Sequence, residues 1–156
     1  MSDFTPSTTD ITAAQLADRQ AIVDLTHRYC WALDQRDWAL LDTVFAADAT
    51  ADLRSASILV GRDAIRHRIS TAIEALDGTQ HTVTNHQVVV DGDTATARTY
   101  LHSQHVRRDV DGSPLFVIAG RYEDDLVRTA DGWRITFRRL VEVWTDGNLD
   151  VVRPRR

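Results

Sequence analysis

Four β-rich segments fill the second half of the chain, and they restrict its possible folds more than any other feature. They cover residues 81–90, 94–108, 115–128 and 133–144. Asp-Gly sequences separate them, at Asp91-Gly92, Asp111-Gly112 and Asp131-Gly132. Asp-Gly between such segments is a strong hairpin signal, because glycine readily adopts the positive φ that tight β-turns require. The pattern predicts an antiparallel sheet in which consecutive strands are neighbours.

The first half of the chain has helical periodicity instead. Apolar residues recur at helical spacing along residues 22–33. A first helix is predicted from about residue 12 or 13 to Gln35, a second helix after the capping residue Asp37, and a third over residues 64–76. Residues 50–53 and 57–60 are predicted to be short strands. Helices followed by an antiparallel meander predict an α+β fold, with the three helices packed on a strongly curved, mainly antiparallel sheet.

The length of 156 residues favours one domain. We expect a flexible arm over residues 1–12, the folded domain over 13–146 and a C-terminal tail over 147–156. The net charge of −5, without any lysine, argues against nucleic acid or an anionic membrane as the main partner. The chain lacks the pattern of a signal peptide or a membrane span, so a cytoplasmic location is expected. Its single cysteine, Cys30, is expected to be a packed small hydrophobe.

Two polar groups lie on the apolar face of the first predicted helix. They are the phenol of Tyr29 and the carboxylate of Asp34, near the helix end. A carboxylate beside an apolar stripe is costly to bury unless it is paired or hydrogen-bonded. Asp34 is therefore expected to meet a partner from elsewhere in the chain.

Two histidines are candidates for that region. His81 begins the first long strand and His105 lies late in the second, and pairing about the turn at Gly92 places His81 opposite a residue near 103–105. His102 is predicted on the opposite face from His105, because side chains alternate along a strand. The more apolar face favours His105 for the interior. Lone strand histidines are more often surface or core residues than catalytic ones, and their spacings here match no zinc motif.

The chain resembles the SnoaL-like branch of the nuclear transport factor 2-like superfamily. The resemblance covers about residues 14–144 and rests on several short motifs. They are Arg28-Tyr29, Ala32-Leu33-Asp34, Asp37-Trp38, Phe45, Asp48-Ala49, Gly61-Arg62-Asp63-Ala64-Ile65, His81 with Asn85, Gly92-Asp93-Thr94-Ala95, Gly120-Arg121-Tyr122 and Gly132-Trp133-Arg134-Ile135. It implies a cone-shaped α+β barrel, a bent sheet closed by helices around a deep apolar pocket.

Scytalone dehydratase and the bile-acid dehydratases of this superfamily use an Asp–His pair. Asp34 and His81 match those two positions, Tyr29 matches a tyrosine of the bile-acid enzymes, and His105 resembles the second histidine of scytalone dehydratase. The resemblance therefore implies a dehydratase or isomerase that acts on a small hydrophobic cyclic substrate, such as a polyketide or steroid, without metal or organic cofactor. It also implies a homo-oligomer, with a trimer favoured over a dimer. The absence of lysine speaks against the known form of the related dehydrochlorinase activity.

Further residues are expected to contact the substrate. They are Trp31, Asn85, Glu142 and Trp144, placed by helix or strand position. Two other functions stay open at this point: a polyketide cyclase with the same acid–base pair, and a ligand-binding module without turnover. An Asp34–His81 hydrogen bond at the floor of an enclosed pocket would favour catalysis, whereas a pocket filled by side chains would favour binding or scaffolding.

Overall fold

A computed structural model describes residues 11–153 of the chain. The elements are α1 (Ala13–Gln35), α2 (Trp38–Asp42), β1 (Phe45–Asp52), β2 (Leu59–Val60), α3 (Arg62–Glu74), β3 (Gly78–Asp91), β4 (Thr94–Val106), β5 (Leu115–Thr129), β6 (Gly132–Gly147) and a 3-10 turn (Leu149–Val151). Three helices pack on one curved sheet with the strand order β2-β1-β6-β5-β4-β3, and only the β1–β6 pair is parallel. The predicted α+β cone is confirmed.

Helix α1 covers the open end of this sheet. A capping box between Thr12 and Gln15 starts it, and the left-handed backbone of Arg36 (φ 56°) ends it. Its buried face includes Ile22, Leu25 and Leu33, which bury apolar side chains against the sheet. α1 packs along β3, so its last turn lies over the beginning of that strand.

The pairing of β3 with β4 fixes which histidines point inward. His81 pairs with Ser103, and Thr79 pairs with His105, as the hairpin register predicts. Alternate β4 side chains from Ala95 to His105 are buried, whereas His102 is exposed on the outer face. The predicted interior position of His105 is confirmed.

A bulge in β3 reverses the alternation of the strand beyond His81. The pairing register shifts between Thr84 and Gln87, and Asn85 has a positive φ of 53°. Asn85 therefore lies at the outer face, not on the face of His81 as regular alternation predicts. His86 turns toward α1, where its Nε2 lies 2.9 Å from the Thr26 hydroxyl.

A second bulge lies in β6. Ala119 pairs with Trp144 while the next residue, Gly120, pairs with Glu142, so Val143 is an extra residue in the strand. The bulge turns Trp144 to the outer face, where its ring centroid lies 5.9 Å from that of His102. The backbones approach so closely here that a Cβ on Gly120 would lie 2.2 Å from the Val141 carbonyl oxygen.

The ends of the chain were predicted to be an arm and a tail. Residues 1–10 of the arm lie outside the described residues. In the predicted tail, β6 continues to Gly147 and Val151 is fully buried. The Arg107 guanidinium donates to the Arg153 carbonyl oxygen at 2.8 Å, which holds the segment against the sheet. Within the described part of the chain, no helix is both long and apolar enough to cross a membrane.

Candidate active site

Asp34 and His81 meet where the end of α1 crosses the beginning of β3. Asp34 Oδ1 lies 2.7 Å from His81 Nδ1, and Asp34 Oδ2 accepts the His81 backbone N–H at 2.9 Å. The His81 side chain is 5% exposed and that of Asp34 is 18% exposed. Both oxygens of Asp34 therefore form hydrogen bonds with His81. These two contacts fix the position of the carboxylate and the orientation of the imidazole ring.

This contact determines the tautomer of His81. A carboxylate accepts, so in the neutral imidazole the proton is on Nδ1 and the lone pair is on Nε2. His81 lines the internal cavity described below. A neutral histidine that is oriented through Nδ1 is the arrangement in which Nε2 can take a proton from a bound molecule.

His105 is the second buried histidine of this region. Its ring centroid lies 5.7 Å from that of His81, in an edge-to-face arrangement. Its Nδ1 is 3.0 Å from the Thr79 hydroxyl and its Nε2 is 3.4 Å from the Ser103 hydroxyl. Burial lowers the pKa of His105 to about 4, and the nearby charge of His81 acts in the same direction. At neutral pH, His105 is therefore a neutral hydrogen-bonding group.

Tyr29 lies one and a half turns before Asp34 on α1 and lines the same cavity. Its ring contacts that of Tyr122, with centroids 5.5 Å apart. Burial raises the pKa of the Tyr29 phenol, and the positive charge of Arg138 only partly opposes that effect. The phenol is therefore protonated at neutral pH and can donate a hydrogen bond.

A buried ion pair supports the two tyrosines. Arg138 is 0% exposed, and its guanidinium lies 4.2 Å from the Tyr29 ring centroid and 4.1 Å from that of Tyr122. Asp124 on β5 accepts two hydrogen bonds from Arg138, each 2.7 Å long. The inward position of Arg138 follows from strand alternation, but its partner Asp124 was not foreseen. Asp124 lies on the same face of β5 as the buried residues Tyr122 and Leu126, because residues two apart in a strand share a face. This spacing is the sequence signal that points to an inward Asp124.

These groups surround a cavity of about 300 Å³, which is at the lower end of the range for small-molecule sites. It lies between α1, α3 and the inner face of the sheet. Its walls are mainly apolar, and its polar groups include His81, His105, Tyr29, Tyr122 and Ser103. The apolar lining residues are Leu33, Leu53, Ile69, Ala72, Ile73, Leu76, Leu101, Ile118, Leu140 and Val152.

The four residues predicted to contact substrate do not line this cavity. Trp31 is 61% exposed on the outer side of α1. Asn85 and Trp144 line a cleft on the outer face of the sheet, because of the two strand bulges. Glu142 forms an ion pair with Arg54, which does line the cavity. Substrate contact by these four residues stays a prediction and has no part in the function proposed below.

Two arginines of the cavity wall were missed from the sequence. Arg54 follows β1 with a positive φ of 59°, and Arg68 lies on α3 one turn from Ala72. Arg68 is the last of three consecutive basic residues, after Arg66 and His67. The available signal is the spacing of three from Ile65 and four from Ala72, which puts Arg68 beside the packed face of the helix.

A family model for the SnoaL-like domain matches residues 14–139. The chain belongs to the SnoaL-like family. Its resemblance to the SnoaL-like branch, predicted from short motifs, is confirmed. An uncharacterized protein of Mycobacterium tuberculosis is 36% identical over 129 residues, which are 82% of this chain and 87% of the relative.

Two solved structures from Novosphingobium aromaticivorans are similar to this SnoaL-like chain. One, named as a candidate aromatic ring hydroxylase, is 30% identical with a TM-score of 0.78, covering 88% of this chain and 98% of that protein. The other, named as a candidate scytalone dehydratase, is 24% identical with a TM-score of 0.76, covering 89% and 93%. At the lower identity the likeness shows the fold alone.

Proposed function

We propose that the protein is a lyase or isomerase of the dehydratase type, which acts by His81/Asp34 general acid–base catalysis on a small hydrophobic cyclic substrate. The observation that carries the proposal is the contact of both Asp34 oxygens with His81 at the wall of this cavity. The geometry favours catalysis over simple binding, because orienting one imidazole tautomer serves proton transfer and adds little to the binding of an apolar ligand.

In the proposed reaction, His81 Nε2 removes a proton from the carbon beside a substrate carbonyl. The electrons of the broken C–H bond form an enolate, and the Asp34 carboxylate stabilises the imidazolium that results. Collapse of the enolate forms the C=C bond and breaks the C–O bond to a hydroxyl on the next carbon. The leaving oxygen takes the proton from His81, so that water departs and the neutral imidazole is restored.

The phenol of Tyr29 is the proposed donor to the enolate oxygen. It is protonated because burial raises its pKa, and the nearby Arg138 charge favours negative charge on its hydrogen-bonded partner. A donor aimed at the oxygen that gains charge stabilises the transition state more than the ground state. His105, which is neutral at pH 7, is proposed to hydrogen-bond the departing hydroxyl.

The size and lining of the cavity limit the substrate. About 300 Å³ with mainly apolar walls suits a compact body of a few rings. Closure of such a space around the substrate would exclude water and strengthen the contacts of Tyr29 and His81.

We also propose that the protein forms a homo-oligomer, with a trimer as the expected state. The outer face of the sheet exposes Tyr100, Val143 and Trp144, each at least half exposed. Large apolar side chains grouped on one face are typical of association surfaces. Light scattering at several concentrations tests this point, and a monomer at every concentration would contradict it.

The test of the proposed reaction is a screen of cyclic β-hydroxy-ketones for water loss, read by the absorbance of the conjugated product. Any active substrate is then assayed with His81→Ala, and with His102→Ala as a matched control on the outer face. We expect His81→Ala to lower kcat by at least about 10²-fold, as for loss of a general base, while His102→Ala stays near wild type. Near-normal turnover by folded His81→Ala would reject the assignment.

A further inference from the structure

The charges on the cavity wall are all of one sign. Its fixed charges are two guanidinium groups, Arg54 and Arg68, and no carboxylate is among the described lining residues. Asp34 is hydrogen-bonded through both oxygens to His81 and is itself not part of the lining. A largely apolar space with cationic groups at its wall raises the local concentration of anions over neutral molecules of the same shape.

The two arginines differ in whether an acidic side chain of the described residues already pairs with their positive charge. Arg54 forms an ion pair with Glu142 of β6. Arg68 makes no hydrogen bond and no ion pair within the described part of the chain, and it is half-buried. Its neighbour Arg66 on the same helix pairs with Asp42 at 2.9 Å and with Asp63 at 3.3 Å. Arg68 is therefore the guanidinium of the wall whose charge has no internal partner.

An unpaired arginine against apolar surface is costly and gains most from an external anion. Ile69, Ala72 and Ile73 of the same helix line the cavity together with Arg68, which is itself half-buried. A guanidinium presents a planar fork of donors that matches the two oxygens of a carboxylate. Charge-assisted hydrogen bonds of this kind are stronger in a poorly hydrated site than in water.

We propose that Arg68 selects a substrate that carries a carboxylate on its hydrophobic ring body. The ring body occupies the apolar part of the cavity next to His81, and the carboxylate binds the Arg68 guanidinium. The substrate class is thus a cyclic β-hydroxy-ketone that also carries a carboxylate, rather than its neutral analogue. This inference rests on the proposed function only in taking the cavity as the active site.

The test measures equilibrium binding, so it does not depend on turnover. The probes are benzoate, cinnamate and 2-naphthoate, each paired with its neutral amide of nearly the same shape. Dissociation constants are measured by calorimetry at low ionic strength for the wild type, Arg68→Gln and Arg68→Lys. Arg19→Gln is the control, since it removes one charge from α1 outside the cavity wall.

Binding of at least one carboxylate about tenfold tighter than its amide is expected for the wild type. Arg68→Gln should abolish that preference and leave the amide within about twofold, whereas Arg68→Lys should retain part of it because the charge remains without the planar fork. Arg19→Gln should bind as the wild type does. The proposal would be overturned if the wild type bound carboxylates and amides equally, or if it bound no carboxylate. It would also be overturned if Arg68→Gln weakened the binding of carboxylates and amides by the same factor.

The same measurements separate this inference from the proposed reaction. His81→Ala lacks the proposed base, but it should keep the preference for carboxylates. If the wild type shows that preference and no dehydration activity on any cyclic hydroxy acid, the catalytic proposal fails while Arg68 stands. If His81 is required for dehydration of neutral ketones, and carboxylates bind no more tightly than their amides, only the proposed role of Arg68 fails.

Discussion

Asp34 binds the side chain and the backbone of His81 at the same time, with one carboxylate oxygen on each. The backbone contact positions the carboxylate independently of the imidazole. The side-chain contact then sets which nitrogen of the ring carries the proton. In a pair joined only through side chains, either partner could rotate away, so the double contact makes the geometry of the site robust.

Asp34→Asn should preserve this geometry and reverse its chemistry. The asparagine amide can donate to Nδ1, which would move the ring proton to Nε2 and remove the lone pair of the proposed base. A loss of about 10³- to 10⁴-fold in kcat is expected, as for the equivalent change in a Ser-His-Asp triad. Asp48→Asn, at an exposed position of β1, is the matched control. Comparable turnover in the two variants would show that Asp34 does not orient a base.

Tyr29→Phe should affect the reaction more than substrate binding. The change removes the phenolic donor and keeps the ring between Phe45 and Tyr122. Loss of one donor to a developing oxyanion costs about 10²- to 10³-fold in kcat, and KM should change little. Steady-state kinetics on an active substrate measures both. A raised KM with unchanged kcat would assign Tyr29 to binding alone.

The folded protein should lose stability in weak acid through His105. Its pKa is about 4 in the folded state and near 6.5 when unfolded, so between these values only the unfolded chain takes up the proton. Stability from this group is therefore full above pH 6.5 and falls as the pH decreases toward 4, by about 3 kcal/mol in total.

Urea unfolding at a series of pH values measures this loss. The non-titrating variant His105→Gln should show a smaller decrease in the free energy of unfolding over the same range. The difference between the two curves isolates His105 from the other groups that titrate. Parallel curves for the wild type and the variant would contradict the assignment.

Cys30 should be inert toward thiol reagents in the folded protein. It is 5% exposed, and burial raises its pKa to about 12, so the reactive thiolate is rare at neutral pH. An aromatic disulfide reagent should leave the native thiol unmodified and should react fully in urea. A Ser57→Cys variant, at an exposed loop position, supplies a thiol that reacts at once. Rapid modification of native Cys30 would indicate opening of the core.

Gly120→Ala should destabilise the fold at the bulge of β6. The added Cβ would meet the Val141 carbonyl oxygen at 2.2 Å, and this backbone atom can move only if the strand pairing changes. Overpacking of this kind costs about 1–3 kcal/mol. Gly78→Ala is the control, because its Cβ would approach only Val106, at 4.0 Å. Thermal unfolding compares the two, and equal melting temperatures would argue against a tight backbone contact.

Local patterns predicted the parts of the site that depend on regular geometry. Helix spacing put Tyr29 on the buried face of α1 with Asp34 near the helix end, and the two-residue turn brought His81 to within one residue of its partner Ser103, the remaining shift coming from the bulge. Both rules act over short distances in the chain, so a pattern of residues is enough to apply them. The meeting of α1 with β3 is not local, and the family resemblance supplied it.

The features that sequence patterns did not reveal involve irregular geometry or tertiary packing. Asn85 and Trp144 follow bulges that interrupt alternation, and a bulge leaves almost no trace in a pattern of apolar residues. Arg68 belongs to a basic cluster whose members face different surroundings once α3 packs on the sheet. The Arg138–Asp124 pair joins two strands through their inner faces, so only the full arrangement of the sheet reveals it.

The bulge at Asn85 divides β3 into two halves whose inward and outward sides are set separately. The half before the bulge presents His81 to the cavity, and the half after it presents His86 and Val88 to the interior near α1. Deleting one residue at 85–86 would impose one regular inward–outward alternation of side chains on the whole strand. The inward side chains of one half would then point to solvent. Related sequences can therefore vary the far half of the strand without moving the histidine, provided that they keep the extra residue.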